Sequence, residues 1–151
     1  MNMQSNEGLP ALQCTQSARL WLSSEGAITP MHYDSSTSFL CQIRGGKRMV
    51  LYSDDQLSAL YPYADDHPLR CARSRIEYGS ECLPAIVLLS RRRSQVNPES
   101  PDLQRFPQFR ICRGYEALLR EGDILLFGSK VMHYTQSLGP KTCMSITTRF
   151  E

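Results

Sequence analysis

The sequence lacks the marks of several common protein classes. None of its six cysteines, at positions 14, 41, 71, 82, 112 and 143, forms a Cys-x-x-Cys pair, so nothing points to a zinc site built on paired thiolates. Its longest apolar run, Ala85-Ile86-Val87-Leu88-Leu89, falls far short of the ~20 residues that span a bilayer, so no membrane segment is expected. An excess of charge of one sign is also lacking: 17 basic against 15 acidic residues leave a net +2, too little to suggest nucleic acid or an anionic membrane as a partner. The one basic run, Arg91-Arg92-Arg93, has no aromatic residues interleaved and reads as a solvated loop. The opening Met-Asn-Met-Gln-Ser-Asn has neither a basic nor an apolar signal region. The expectation is an intracellular protein, of cytoplasm or nucleus, whose cysteines are reduced and serve mainly as small core residues.

No amphipathic helix longer than about two turns and no internal repeat stands out. What the sequence has instead is a succession of short β segments divided by turn residues. Residues 1–17 form a polar lead-in, and a single domain of 18–151 follows. Arg19–Ser23 and Ile28–Tyr33 flank Glu25-Gly26 as a hairpin. Ser38–Ile43 and Lys47–Tyr52 flank Arg44-Gly45-Gly46, whose glycines can take positive φ. Along the second of these strands Lys47, Met49 and Leu51 share one face. Asp54–Leu60 suits a short helical turn, Gly114–Leu119 a brief link, and Ile124–Phe127, Val131–Gln136 and Thr142–Phe150 the remaining strands. Residues 79–98 break this rhythm and read as an insertion. About eight short strands with glycine turns point to an all-β domain, a small antiparallel barrel or jelly roll.

Only three histidines are present, and two of them lie in settings that suit a metal: His32-Tyr33-Asp34 and Met132-His133-Tyr134. Residues i and i+2 of a strand point to the same face, so His32 and Asp34 can meet one ion, with His133 supplied by a neighbouring strand. Two imidazoles and a carboxylate on one triangular face leave the opposite positions open. That donor set suits iron(II) with dioxygen and a chelating substrate, whereas a closed structural zinc site wants a fourth protein ligand. Lys47 adds an ammonium on the Met49/Leu51 face. A 2-oxoglutarate molecule chelating the iron needs such a cation, and a hydroxyl, at its far carboxylate, and Thr29 is the candidate hydroxyl.

The same residues carry a family likeness. Gly26-Ala27-Ile28-Thr29-Pro30-Met31-His32-Tyr33-Asp34, then Phe39-Leu40-Cys41-Gln42-Ile43-Arg44-Gly45-Gly46-Lys47-Arg48, resembles the Jumonji C (cupin-like) oxygenases. Leu60-Tyr61-Pro62-Tyr63 with His67-Pro68, Arg105-Phe106-Pro107-Gln108-Phe109 and Gly114-Tyr115-Glu116 are similar to the asparaginyl-hydroxylase branch, that of factor inhibiting hypoxia-inducible factor. The chain looks like a truncated member of that branch with an insertion. The resemblance implies a double-stranded β-helix (jelly-roll) core, iron(II) held by His32, Asp34 and His133, and 2-oxoglutarate held by Lys47 and Thr29. It also implies decarboxylation of 2-oxoglutarate to succinate, with hydroxylation of a side chain in a protein or peptide substrate. Ser38 and Thr148 fall where the branch has asparagines on the cosubstrate side, and Phe150 where it has a tryptophan. Cys71-Ala72 falls near the pair that grips the target amide. The rival reading is a non-catalytic cupin-like module that binds a metal or a peptide without turnover.

Overall fold

The computed structural model describes residues 17–69, 91–140 and 142–150. The described residues form nine strands: β1 (Ser17–Ser23), β2 (Ile28–Asp34), β3 (Thr37–Arg44), β4 (Gly46–Tyr52), β5 (Arg91–Arg93), β6 (Tyr115–Leu119), β7 (Ile124–Phe127), β8 (Met132–Leu138) and β9 (Cys143–Phe150). They build two antiparallel sheets, one of order β1-β9-β3-β7 and one of order β5-β2-β8-β4-β6. Successive strands from β1 to β4 alternate between the sheets, which is a jelly roll of the double-stranded β-helix kind.

This alternation corrects both expected hairpins. Ser23 and Ile28 do flank a turn, with Gly26 at φ 73°, and Gly45 bends the chain at φ 71°. Yet β1 pairs along its whole length with β9, and β2 with β8 and β5, so each turn carries the chain from one sheet to the other. Short strands with one apolar face must bury it, and two facing sheets do so where isolated hairpins cannot.

Three further expectations change. Tyr115–Leu119 is a strand paired with β4 and not a link. The triple arginine is no solvated loop, because it adds edge strand β5 beside β2. Residues 91–98, the described part of the stretch expected to be an insertion, are packed into the fold: Val96 is buried, and the Ser94 hydroxyl donates to the Leu60 carbonyl at 2.6 Å. The rest of that stretch, with Cys71 and Ala72, lies outside the described residues.

The five-stranded sheet is covered on both faces at its centre. Its outer face carries Met31, Val50, Tyr52, Met132 and Tyr134, and these pack with Leu60, Val96, Phe106 and Phe109 from the 3-10 turns Asp54–Leu60 and Pro107–Ile111 and the loop between them. Each fully buried side chain here, such as Met31, Leu60 or Met132, contributes about 1.5–3 kcal/mol by leaving water. Its inner face meets the other sheet through a smaller apolar cluster, Leu40, Met49, Leu119 and Phe127, and through polar links between the sheets. Among the described residues no helix is long and apolar enough to cross a membrane, and Cys41, Cys112 and Cys143 are free thiols.

Candidate metal centre

Strands β2 and β8 lie side by side, and in their register His32 stands directly opposite His133. Opposed residues of an antiparallel pair project to the same side, so the imidazoles meet, with ring centroids 4.2 Å apart. Asp34, two residues beyond His32, joins them. One ligand atom from each of the three residues lies within 4.8 Å of the others, and all three residues are buried. The structure thus brings His32, Asp34 and His133 together as the sequence led one to expect.

The backbone sets the chemical form of both histidines. His32 donates from Nδ1 to the Pro30 carbonyl at 2.8 Å, and His133 from Nδ1 to the Val131 carbonyl at 3.0 Å. A carbonyl oxygen can only accept, so each ring takes the tautomer whose lone pair sits on Nε2, the form that ligates a metal. The start of β8 is tied to the same place. Lys130, with φ at 61°, gives its N–H to the Asp34 carbonyl at 2.8 Å, pinning the β7–β8 turn to the carboxylate strand.

Beside the triad, a half-open cavity of about 430 Å³, its mouth included, runs between the sheets. Thr29 lines it although it lies three residues before His32, an odd spacing that would normally put the two on opposite faces. The pairing explains this: Thr29 faces Thr135 and His32 faces His133, so β2 holds one residue more than β8 between them. The extra residue is a bulge at Pro30-Met31, where proline has no N–H for the ladder.

Lys47 lies in the cavity wall, 6% exposed, and donates to the Ser145 hydroxyl at 2.5 Å across the gap between sheets. Burial pushes its ammonium below the ordinary lysine value, with the Cys143 thiol beside it pulling the other way. No carboxylate among the described residues pairs with it. A buried cation without a counter-ion is costly unless an anion joins it, so this end of the cavity fits a ligand carboxylate. Three donors on one side of an otherwise open cavity likewise fit iron(II) with positions left for other oxygen ligands.

Ser38 is fully buried on the same side of β3 as Leu40, and its hydroxyl has no hydrogen-bond partner among the described residues. Thr148 does not join the site. The inward positions of β9 run Cys143, Ser145, Thr147, Arg149, while Thr148 pairs with the exposed Ala18 and Phe39 on the outer side. A one-residue offset on a strand exchanges its faces. Thr147 therefore takes the place expected of Thr148, accepting from the Trp21 indole at 3.1 Å, and Arg149 the place expected of Phe150. Ser145, Thr147, Trp21 and Arg149 were not singled out in the sequence, although the alternation of buried small residues along β9 carries the signal. Arg149 donates to Asp34 Oδ2 at 2.6 Å, an ion pair between a mostly covered guanidinium and a buried carboxylate.

A model of the cupin-like domain matches residues 3–148 of this sequence. The chain belongs to the cupin-like domain family. Among the relatives of this family member, JmjC domain-containing protein D of Dictyostelium discoideum is 32% identical over 118 residues, covering 78% of the chain and 22% of that protein. Lysine-specific demethylase 8 of Danio rerio is 30% identical over 118 residues, covering 78% of the chain and 24% of that protein. The cupin-like chain thus spans less than a quarter of the length of either relative. In fold alone it is similar to an oxalate oxidase, with a TM-score of 0.51 at 9% identity over 90% of this chain and 42% of that one.

Proposed function

We propose that this chain forms the core of an iron(II)- and 2-oxoglutarate-dependent dioxygenase that hydroxylates a side chain of a protein or peptide inside the cell. The observation that carries the reading is the placement in one cavity of a two-histidine, one-carboxylate cluster and a buried lysine that no carboxylate among the described residues pairs with. The reaction takes 2-oxoglutarate, dioxygen and a C–H bond to succinate, carbon dioxide and an alcohol. The iron, when bound, supplies the activation of dioxygen.

The chain's own residues supply holding, orientation and dryness. His32, Asp34 and His133 would hold the ion on one side, with both imidazoles already in the ligating tautomer. Lys47 would grip the far carboxylate of 2-oxoglutarate, with the hydroxyls of Ser145 and Thr29 beside it and Ser38 in reserve as an unsatisfied donor. Leu40, Met49 and Phe127 form an apolar wall that limits water at the reacting positions. Arg93 on the edge strand is the register partner of His32 and would offer a cation toward a bound peptide. The motifs around Leu60–Tyr63 and Arg105–Phe109 support a reading in which the substrate chemistry is that of the asparaginyl-hydroxylase branch.

Anaerobic titration of iron(II) and 2-oxoglutarate into the protein tests the reading. A visible metal-to-ligand charge-transfer band should appear with both present, vanish in Asp34→Ala and weaken strongly in Lys47→Ala. Bound iron with no band at saturating 2-oxoglutarate would overturn it. The grip of Arg149 on Asp34 favours a second reading, a non-catalytic metal- or peptide-binding module. Such a module would bind the ion with no response to 2-oxoglutarate.

A further inference from the structure

Arg149 reaches the metal triad from the opposite sheet. It lies on β9 between Ser17 of β1 and Ser38 of β3, lines the cavity, and meets Asp34 Oδ2 at 2.6 Å with side-chain exposures of 11% and 5%. Guanidinium does not shed its proton in a protein, so this is a permanent cation hydrogen-bonded to a carboxylate that also faces both imidazoles. Two consequences follow for anything that binds. The guanidinium holds Oδ2 of Asp34, which biases the carboxylate toward serving an ion through its other oxygen. It also adds positive charge beside the place where a divalent ion would sit.

The charges of the cavity can be counted. With neutral imidazoles, Asp34, Lys47 and Arg149 sum to about +1, a divalent ion alone raises this to about +3, and a dicarboxylate arriving with the ion restores about +1. Repulsion in a buried site is weakly screened, so the ion alone is opposed and the dianion alone lacks its chelation partner. We infer that Arg149 makes uptake of the metal ion and of a dianionic ligand conditional on one another, acting as a positioning residue through Asp34. The identity of that dianion as 2-oxoglutarate rests on the reading proposed above, while the effect on the ion alone does not. Coupling is reciprocal, so whatever factor the dianion adds to metal affinity the metal adds to dianion affinity.

The test is titration of manganese(II), a redox-silent probe, into the whole chain, followed by calorimetry or by loss of the free-ion spin-resonance signal. Wild type, Arg149→Met and Arg149→Lys are compared with and without saturating 2-oxoglutarate, each checked for a cooperative melt. Arg149→Met should bind manganese alone about tenfold more tightly than wild type. 2-Oxoglutarate should tighten manganese binding about tenfold in wild type and by clearly less in Arg149→Met. Arg149→Lys, which keeps the charge, should retain the wild-type coupling. If Arg149→Met binds manganese alone no more tightly than wild type, the inference is overturned whatever 2-oxoglutarate does. If it binds more tightly but 2-oxoglutarate changes nothing in any variant, the role of Arg149 at the carboxylate stands and the cosubstrate reading falls. Should the methionine variant lose its melt, Arg149→Gln is read by the same criteria.

Discussion

Removing the lysine that the ligand needs should make the ligand-free protein more stable. Lys47 is 6% exposed, and among the described residues its ammonium has one hydrogen bond, to Ser145, which is fully buried. Taking an ammonium out of water costs several kcal/mol even after local relaxation, and a single charge-assisted hydrogen bond returns about 1.5–3 kcal/mol. Lys47→Met alone would strand the Ser145 hydroxyl, so the clean perturbation is Lys47→Met with Ser145→Ala, which removes both polar partners together. Exchanging a buried polar pair for apolar groups of similar volume is neutral to stabilising by 1–4 kcal/mol, and a gain of about 2 kcal/mol is expected here. For a chain of 151 residues this raises Tm by about 4–8 °C. Ligand should invert the order. With manganese present and 2-oxoglutarate at about one hundred times its Kd, wild type gains about 2.7 kcal/mol and the double variant gains nothing. Thermal unfolding monitored by circular dichroism, with and without the two ligands, reads both effects. A double variant that melts below ligand-free wild type would show that the ammonium holds the sheets together at a profit, and the reasoning fails. So it does if 2-oxoglutarate stabilises the variant as much as the parent.

The alkaline behaviour of Lys47 carries a definite sign. Its folded pKa lies below the ordinary lysine value because burial disfavours the charge. Below the folded value both folded and unfolded chains hold the proton, and the full burial cost is felt. As pH rises through the folded value the native state sheds its proton first, so the cost fades and the Tm gap to the double variant should close. Over the same range 2-oxoglutarate affinity should fall, with proton uptake on binding detectable as a buffer-dependent heat in calorimetry. The single tryptophan offers a cheap reporter: Trp21 lines the cavity and bonds Thr147. Its emission should change on adding manganese with 2-oxoglutarate and not on adding manganese with an equal concentration of acetate. An unchanged spectrum while calorimetry shows both ligands bound would place the binding elsewhere.

Local pattern made most strands legible. Ile124–Phe127 is found as read, and Asp54–Leu60 is the short helical turn expected. What local pattern does not encode is which strand lies beside which. β1 pairs with β9 across more than a hundred residues, and that choice is made by how two sheets stack around a shared interior, a global matter invisible to a window of ten residues. The triad was legible because two ligands are fixed by spacing on one strand and the third is one of only three histidines. Thr148 was misplaced because its register was taken from motif likeness, whereas the buried alternation of Cys143, Ser145 and Thr147 sets the true phase. Ser145 escaped notice because serine on a strand is common, and only the arrival of Lys47 from the other sheet gives it meaning. Gly114–Leu119 reads as a link because the exposed tyrosine and glutamate of Tyr115–Leu119 give it little strand signature beyond the buried Leu119.

That His32 and His133 face each other across adjacent strands has a mechanical implication. An ion gripping both rings would act as a clasp through the middle of the five-stranded sheet, because sliding β8 by a single residue would turn His133 to the far side and release it. Backbone amides of β2 and β8 should then exchange with solvent more slowly when the ion is in place. Strand separation and loss of the ion would become one event.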